Sequence, residues 1–464
     1  MTRRRFLQGA LAGSVLAAAC KGSGTTQPNI LVLVTDDQRA DSTGFGGGPV
    51  PTPQLDALAR DSTVFSEAFV TTSVCACSRA SLLSGRTVSG HGIRHFGTPF
   101  TASALAETYP AVLRTAGYHT GFIGKWGLGG PLPKAAFDVF DGFSRQGRYF
   151  HEVDGERRHL TALLADGATH FIEEAPRDRP FCLSVSFKAP HGPWRDYAPA
   201  FADAVPETLG PLPASATPES AAQLPDFLRR SLGGAAGLEW VQEPERLQAH
   251  IRDYYRLVMG IDHAVGSMRA ALERGGLSRD TVILYTSDNG LLMGEHGLIG
   301  KWLMFDEAIR VPLVLHVPGQ TARRVTDPVL NIDVAPTLLD LAGIEPGPPM
   351  QGRSLVDLAR GEQVRDWRED WFYEHDLDPG EGYLPQIEGV RSADWKYVRY
   401  LDAASQHESL YDLRRDPLEL EDLARDPAHR QALHAMRDRW RALRADEGAT
   451  GRRPSKPRPG RNNT

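Results

Sequence analysis

NILVLVTDD, residues 29–37, decides the fold. From Ile30 to Thr35 every residue is apolar or β-branched, with none of the polar alternation of a half-exposed strand. Such a run predicts a strand covered on both faces, as in a parallel sheet. It ends abruptly on Asp36 and Asp37. Three other runs end in the same manner. TVILYT at 281–286 meets Ser287-Asp288-Asn289-Gly290, the run at 181–187 meets Lys188-Ala189-Pro190-His191, and the short run at 121–123 meets Gly124-Lys125. Helical patterns fall between these runs, at 54–60, 108–115, 160–174 and 247–275. Pro110 sits in the first turn of the second, where its missing N–H costs little. Alternating strands and helices predict an α/β fold with a large central, mostly parallel sheet flanked by helices. Sites in such sheets lie beyond the carboxyl ends of the strands, and that is where these charged and imidazole groups fall.

Working outward, 464 residues allow a large α/β unit with a smaller companion. Hydrophobic residues at 41% and charged residues at 24% suit a chain with a sizeable core. A formal charge of −6 gives no basic footprint, which argues against nucleic acid as a partner. Four cysteines, Cys20, Cys75, Cys77 and Cys182, are too few for a disulfide framework. The N-terminus reads as an address. Arg3-Arg4-Arg5 precedes a short apolar run, as in a twin-arginine signal, and Ala17-Ala18-Ala19-Cys20 resembles a lipoprotein cleavage site. Residues 1–27 are therefore expected to be signal and tether, with export to the periplasm or a lipid-anchored surface and a candidate lipid anchor at Cys20. The pattern predicts a large α/β domain over 28–360, with a Pro- and Ala-rich insertion at 192–245 beside the site. A smaller C-terminal α+β subdomain is expected over 361–450. Its antiparallel strands would turn at Ala393-Asp394, and its terminal helix would bury Leu433, Met436, Trp440 and Leu443 at helical spacing. The basic, Pro-containing stretch at 451–464 reads as a disordered tail.

Asp36, Asp37, Asp288 and Asn289 offer only oxygen ligands, a set suited to a hard divalent cation, Ca²⁺ ahead of Mg²⁺. Each pair alone reads as a turn or a helix cap; the convergence of two strand ends turns them into a metal site. Arg79, Lys125, His191 and Lys301 lie on four separate segments. Singly they are ordinary surface charges, and gathered round a metal they would grip a small tetrahedral anion.

SVCACSRASLLSGR, residues 73–86, holds two of the cysteines. A helix starting near Ser78 would place Cys75 ahead of its amino end, where unpaired N–H groups favour anions and ionised nucleophiles. A zinc clip lacks a second Cys/His cluster, and a redox pair reads Cys-x-x-Cys.

Cys-x-x-Ser-Arg-x-Ser-Leu-Leu-x-Gly, starting at Cys75, resembles the signature of the type I sulfatases, the formylglycine-dependent branch of the alkaline phosphatase superfamily. VTDDQ, TPQLDALA, GYHTGFIGKW, APHGP, SDNG, GEHGLIGK, RVPLVL, DVAPTLLDLAG and LYDLRRDPLELEDLA resemble family blocks in family order. The resemblance implies that a formylglycine-generating enzyme oxidises Cys75 to formylglycine. It implies that Asp36, Asp37, Asp288 and Asn289 hold Ca²⁺ and that Arg79 orients the formylglycine. Lys125, His191 and Lys301 would grip the sulfate, the last two near the leaving oxygen. One hydroxyl of the hydrated aldehyde would attack sulfur in line and expel the alcohol. Loss of the other hydroxyl's proton would then release sulfate and restore the aldehyde. A thiol would instead trap sulfate with no internal exit.

Two positions depart from the pattern. Cys77 stands where Pro or Ala is usual, within the segment that the maturation enzyme reads. Gly127 stands in GKWGLG where many members have the His of GKWHLG; either another histidine, with His91, His95 and His296 as candidates, takes its role or the releasing step runs differently. The expected activity is hydrolysis of an organic sulfate ester, a sulfated small molecule or glycan and foremost a sulfated carbohydrate. The alternatives are a phosphodiesterase or phosphonate monoester hydrolase of the same superfamily, or an inactive lipoprotein that binds sulfated glycans.

Overall fold

A computed structural model describes residues 27–345, 350–377, 382–401 and 407–448. The twin-arginine stretch, Cys20 and the basic tail lie outside the described residues. The run at 29–35, β1 (Asn29–Thr35), is a central strand of an eight-stranded sheet. The others are β2 (Thr63–Phe65), β3 (His119–Lys125), β4 (Val139–Phe143), β5 (Phe181–Ser186), β6 (Thr281–Ser287), β7 (Leu313–His316) and β8 (Arg323–Val325). The order is β8-β2-β7-β6-β1-β5-β3-β4, and β7 alone runs antiparallel to its neighbours.

Helices cover both faces. The chain supplies α1 (Pro53–Arg60), α2 (Cys75–Ser84), α3 (Tyr109–Thr115), α4 (Leu160–Glu174), α5 (Pro244–Arg274) and α6 (Val334–Leu341). The pleat sorts β1 between them. Ile30 and Val32 pack with Leu113 and Leu338 on one face, and Leu31 and Leu33 pack with Leu164, Ile261 and Met268 on the other. Each such side chain, wholly buried, stabilises the fold by roughly 1.5–3 kcal/mol. This double covering is why the strand reads as unbroken apolar sequence.

Register then places the strand ends. Thr35 pairs with Ser287 and Val34 with Ser186. The turns that follow β1, β5 and β6 therefore open side by side. The Asp288 N–H donates to Thr35 O at 3.0 Å and the Asp36 N–H to Ala189 O at 3.1 Å, which locks the three turns together.

A four-stranded antiparallel sheet follows: β9 (Asp370–His375), β10 (Ile387–Ser392), β11 (Trp395–Tyr400) and β12 (Glu408–Asp412), with the terminal helix α7 (Arg430–Asp446). Phe372, Val390, Tyr397 and Leu410 meet Leu433, Met436 and Trp440 of α7. The opposite face, with Trp371, Tyr373, Ile387 and Val398, joins the core of the main sheet.

Three expectations change. The helix expected from Ser78 begins at Cys75, so Cys75 opens the helix instead of preceding it. Val74 keeps extended backbone, and its carbonyl already accepts the Ser78 N–H at 2.8 Å, which starts the helix three residues early. Residues 192–245, weakly periodic in sequence, form short helices at Pro218–Gln223, Asp226–Arg229 and Leu232–Val241. Strands β2, β4, β7 and β8 are too short to stand out as apolar runs. Among the described residues no helix is long and apolar enough to cross a membrane.

Candidate active site

The turn after β1 carries the first two carboxylates. Asp37 takes left-handed backbone, φ 64°, which swings its N–H onto Asp288 Oδ1 at 3.1 Å. Asn289, next on the β6 turn, donates from Nδ2 to Asp37 Oδ1 at 2.7 Å. Asp36, Asp37, Asp288 and Asn289 are all buried. The structure thus brings together the four oxygen-bearing residues singled out in the sequence.

Each carboxylate meets a buried cation. Arg79 on α2 donates from Nε to Asp288 Oδ2 at 2.8 Å, and its Nη2 lies 3.8 Å from Asp36 Oδ2. Lys125, the last residue of β3, donates to Asp36 Oδ2, and Lys301 donates to Asp37 Oδ1. Lys301 Nζ also stands 3.5 Å from Cys75 Sγ. His191 Nε2 is 3.6 Å from Asp37 Oδ2, while its Nδ1 lies 2.9 Å from Gly192 O. All nine residues singled out in the sequence converge on one place. Cys75 sits at the amino end of α2, where the first N–H groups have no partner within the helix and the dipole favours negative charge.

The electrostatics follow from burial. Burial alone would raise the Asp36 carboxyl, but Lys125, His191, Arg79 and Lys301 together hold it well below the usual range. Asp288 goes the other way, pushed up to about 7 by burial and by neighbouring Asp36. Burial disfavours the Lys301 ammonium, yet Asp37 and its neighbours keep it protonated far above the ordinary lysine value. Burial lowers His191.

Two atoms in this network have no partner. Asp36 Oδ1 and Asn289 Oδ1 are buried and accept no hydrogen bond. Leaving such oxygens unsatisfied is costly, and a hard cation held by this oxygen set would satisfy both. Asp36 and Asp288 group with Cys75, and Asp36 and Asp37 with His191, closely enough to share an ion.

Above Cys75 opens a cavity of about 580 Å³, within the usual range for small-molecule sites of roughly 300–1,000 Å³. Lys125 and Gly127–Gly130 line one side, and Phe96, Gly97 and the 144–146 turn line the rest. Residues 192–245, expected beside the site, are not among its lining residues. The segment 232–241 instead packs on 297–299: a Cβ on Gly237 would meet Gly297 O at 2.3 Å, and one on Gly233 would meet Ile299 O at 2.7 Å. It braces the stretch leading to Lys301.

Gly127 has a steric reason. Its φ is +76°, and a Cβ there would stand 2.6 Å from Arg79 Cδ. Arg79 occupies the space that a side chain would need. Neither His91 nor His296 lines the cavity. His91 is engaged beside α2, with Nε2 at 3.1 Å from Ser81 Oγ and Nδ1 accepting the Ile93 N–H at 3.0 Å. His296 stacks on Phe305 with ring centres 4.1 Å apart. His95 is exposed beside Phe96. Cys77 is buried among Val74, Val88, Leu377 and Leu384, and burial pushes its thiol well up.

The sulfatase family model matches residues 28–344, and the model of the N-sulphoglucosamine sulphohydrolase C-terminal region matches residues 294–446. The chain belongs to the sulfatase family. It is a sulfuric ester hydrolase of the alkaline phosphatase superfamily. It is 27% identical to an N-acetylglucosamine-6-O-sulfatase of Bacteroides thetaiotaomicron, over 86% of this chain and 83% of that protein. A choline-sulfatase of Rhizobium meliloti is 30% identical over 89% of this chain and 86% of its own. Among solved structures, a phosphonate monoester hydrolase of Agrobacterium radiobacter superposes with a TM-score of 0.78 at 26% identity, covering 90% of this chain and 96% of that one. Sulfatases generally use formylglycine and a divalent metal, and the acidic cluster of this sulfatase offers a site for such a metal.

Several residues of the sulfatase site escaped the sequence reading. Ser186, the last residue of β5, accepts from Arg79 Nη1 and donates to Lys125 O at 2.6 Å. Gln146 accepts from Lys125 Nζ at 2.8 Å. Tyr149 donates to His191 O at 2.6 Å. Lys188 is buried, donates to Gly192 O at 2.8 Å and lies over the Tyr149 ring. Burial brings its ammonium down to about 8. The strand-end rule points at Ser186 and Lys188; Gln146 and Tyr149 follow a strand too short to read, so no sequence signal marks them.

Proposed function

We propose that this sulfatase hydrolyses sulfate esters of carbohydrates through formylglycine at position 75 and a bound Ca²⁺. The observation that carries the reading is the floor of the cavity, where Cys75 Sγ lies 3.5 Å from the buried Lys301 ammonium beside a network of carboxylates and cations. The sugar substrate is supported by the N-acetylglucosamine-6-O-sulfatase relative and by a cavity of monosaccharide size. Hydrated formylglycine supplies a hydroxyl nucleophile and a second hydroxyl for releasing sulfate. Ca²⁺, held by Asp36, Asp37, Asp288 and Asn289, would add positive charge beside the nucleophile.

The chain's own residues do the rest. Lys125 and Lys301 flank position 75 and would bind the sulfate oxygens as negative charge moves onto them. Arg79, fixed by Asp288, Ser186 and the Lys125 carbonyl, is held against position 75 rather than free to follow the substrate. His191, whose imidazole burial lowers, would act near the departing alcohol and, when protonated, hand its oxygen a proton. Gly127 leaves no imidazole on the opposite side, so the proton lost in the releasing step passes to another base or to water.

The test is turnover. Protein produced with the formylglycine-generating enzyme should hydrolyse N-acetylglucosamine 6-sulfate, and the mass of the tryptic peptide bearing Cys75 should show the aldehyde. A retained thiol with no turnover would leave a sulfated-glycan binder. Likeness to a phosphonate monoester hydrolase supports a second reading, and faster cleavage of an aryl phosphonate than of an aryl sulfate would favour it. Export belongs to the proposal too: the twin-arginine stretch and Cys20 would deliver the folded, converted enzyme beyond the inner membrane. Cell fractionation, with labelled palmitate on the parent and on Cys20→Ser, tests that part.

A further inference from the structure

The catalytic residues account for the floor of the cavity over Cys75 but not for its rim. One wall is made where two backbones meet. A Cβ on Gly129 would fall 2.1 Å from Gly97 C, and one on Gly130 would meet Pro99 Cβ at 2.8 Å. This close contact fixes the segment that presents Phe96, which remains 46% exposed at the cavity. An aromatic face held in the wall of the cavity is placed to stack on a ring.

The facing wall is the 144–146 turn. Gln146 accepts from Lys125 Nζ at 2.8 Å, so the turn is tied to the sulfate-binding lysine. Arg145, between them in the wall, adopts φ 59°, a conformation that costs a non-glycine residue energy and often marks a ligand contact. The residue is exposed, and its side chain has no ion pair or hydrogen bond among the described residues. Arg79 and Arg94, by contrast, are both paired with carboxylates. Arg145 is thus a cation in the cavity wall that no carboxylate among the described residues neutralises. A planar guanidinium so placed matches a sulfate or a carboxylate.

We propose that Phe96 and Arg145 form a substrate subsite, and that the preferred substrate is a sugar sulfate bearing a second anionic group. The inference rests on the sulfatase reading above. Phe96 stacks on the ring, Arg145 binds the second anion, and Lys125 and Lys301 hold the sulfate that is cleaved. A cationic alcohol such as choline would meet Arg145 with the wrong charge.

Calorimetry on the Cys75→Ala protein tests the subsite without turnover. The ligands are N-acetylglucosamine 6-sulfate, glucosamine N,6-disulfate, and a disaccharide of a uronate with N-acetylglucosamine 6-sulfate. The parent should prefer one of the doubly charged ligands over the first by about tenfold or more, as a charge-assisted contact supplies. Whichever is preferred identifies the second anion as sulfate or carboxylate. Arg145→Gln should abolish the preference, Arg145→Lys should keep part of it, and Phe96→Ala should weaken all three ligands alike. An equal preference in the parent and in Arg145→Gln, or no preference in the parent, would overturn the subsite. Aryl sulfate turnover by the formylglycine-bearing parent, measured in parallel, reads the sulfatase proposal separately.

Discussion

At the residue scale, Gly127 shows how a departure from a family pattern can be structural. The missing imidazole looks like a lost catalytic group, yet the space is filled by Arg79 and the backbone is left-handed. Gly127→His should therefore fail to improve turnover. It should lower activity at least tenfold by displacing Arg79 and destabilise the protein by about 1–3 kcal/mol through strain and overpacking. Steady-state kinetics with thermal unfolding would show both, and a faster Gly127→His enzyme would contradict the account. Arg79 itself carries more. Arg79→Ala would leave Asp288 and the Lys125 carbonyl without their donor in a buried site, costing about 1–3 kcal/mol. Arg79→Lys should recover part of the stability and little of the activity, because one ammonium cannot reproduce the contacts to Asp288, Ser186 and the Lys125 carbonyl. Equal activity of the two variants would show that the fork geometry does not matter.

At the element scale, what the sequence disclosed depended on burial. Strands β1, β5 and β6 lie between two helical layers and read as largely apolar and β-branched runs, broken in β5 only by Ser184 and Ser186, and the polar residues at their ends are the site. Strands β2 and β8 are three residues each, and β4 is interrupted by Asp141 and Gly142, so periodicity has nothing to work on. Gln146 and Tyr149 lie beyond β4 and were lost with it. Val74-Cys75-Ala76-Cys77 has no capping side chain to announce the start of α2; Val74 is the N-cap. Cys77 falls in the first turn of α2, where an N–H is unpaired in any case, so Pro and Cys are equally compatible with the backbone. The same helix is tied down by His91, which burial lowers to about 3. An imidazole with a pKa below its unfolded value contributes stability at neutral pH that is lost as pH falls from about 6.5 towards that value. Because His91 is only partly buried, its share of the loss between pH 7 and pH 4 is put at about 1–2 kcal/mol. Denaturant titrations of the parent and of His91→Gln should draw together by that amount across the interval, and parallel curves would exclude the effect.

At the scale of the whole molecule, the C-terminal sheet is a companion to the main sheet and not a separate body. Its outer face packs on α7, while Trp371, Tyr373, Ile387 and Val398 enter the main core. Tyr373 also reaches the site: its hydroxyl lies 2.6 Å from Ser73 Oγ and donates to Trp302 O at 2.9 Å, between the residues that lead to Cys75 and those that follow Lys301. Shared core on one side and a common site on the other predict one cooperative unfolding transition. A chain ending at residue 361 should not fold, and two resolved calorimetric transitions in the full chain would refute the shared core. Metal removal probes the same unity from within. Asp36 and Asp288 follow different strands, and Asn289 and Asp36 each keep a buried oxygen with no partner. A cation binding only the folded chain adds RT ln(1 + [L]/Kd), about 2.7 kcal/mol at a hundredfold excess over Kd. Because β1 and β6 are central in the sheet and carry these ligands, that gain should appear in the unfolding of the entire molecule. Treatment with EDTA should lower Tm by several degrees without splitting the transition, Ca²⁺ should restore it, and Asp36→Asn should remove the response. A Tm indifferent to EDTA and Ca²⁺ in the parent would mean that the unpaired oxygens are satisfied by something other than a metal.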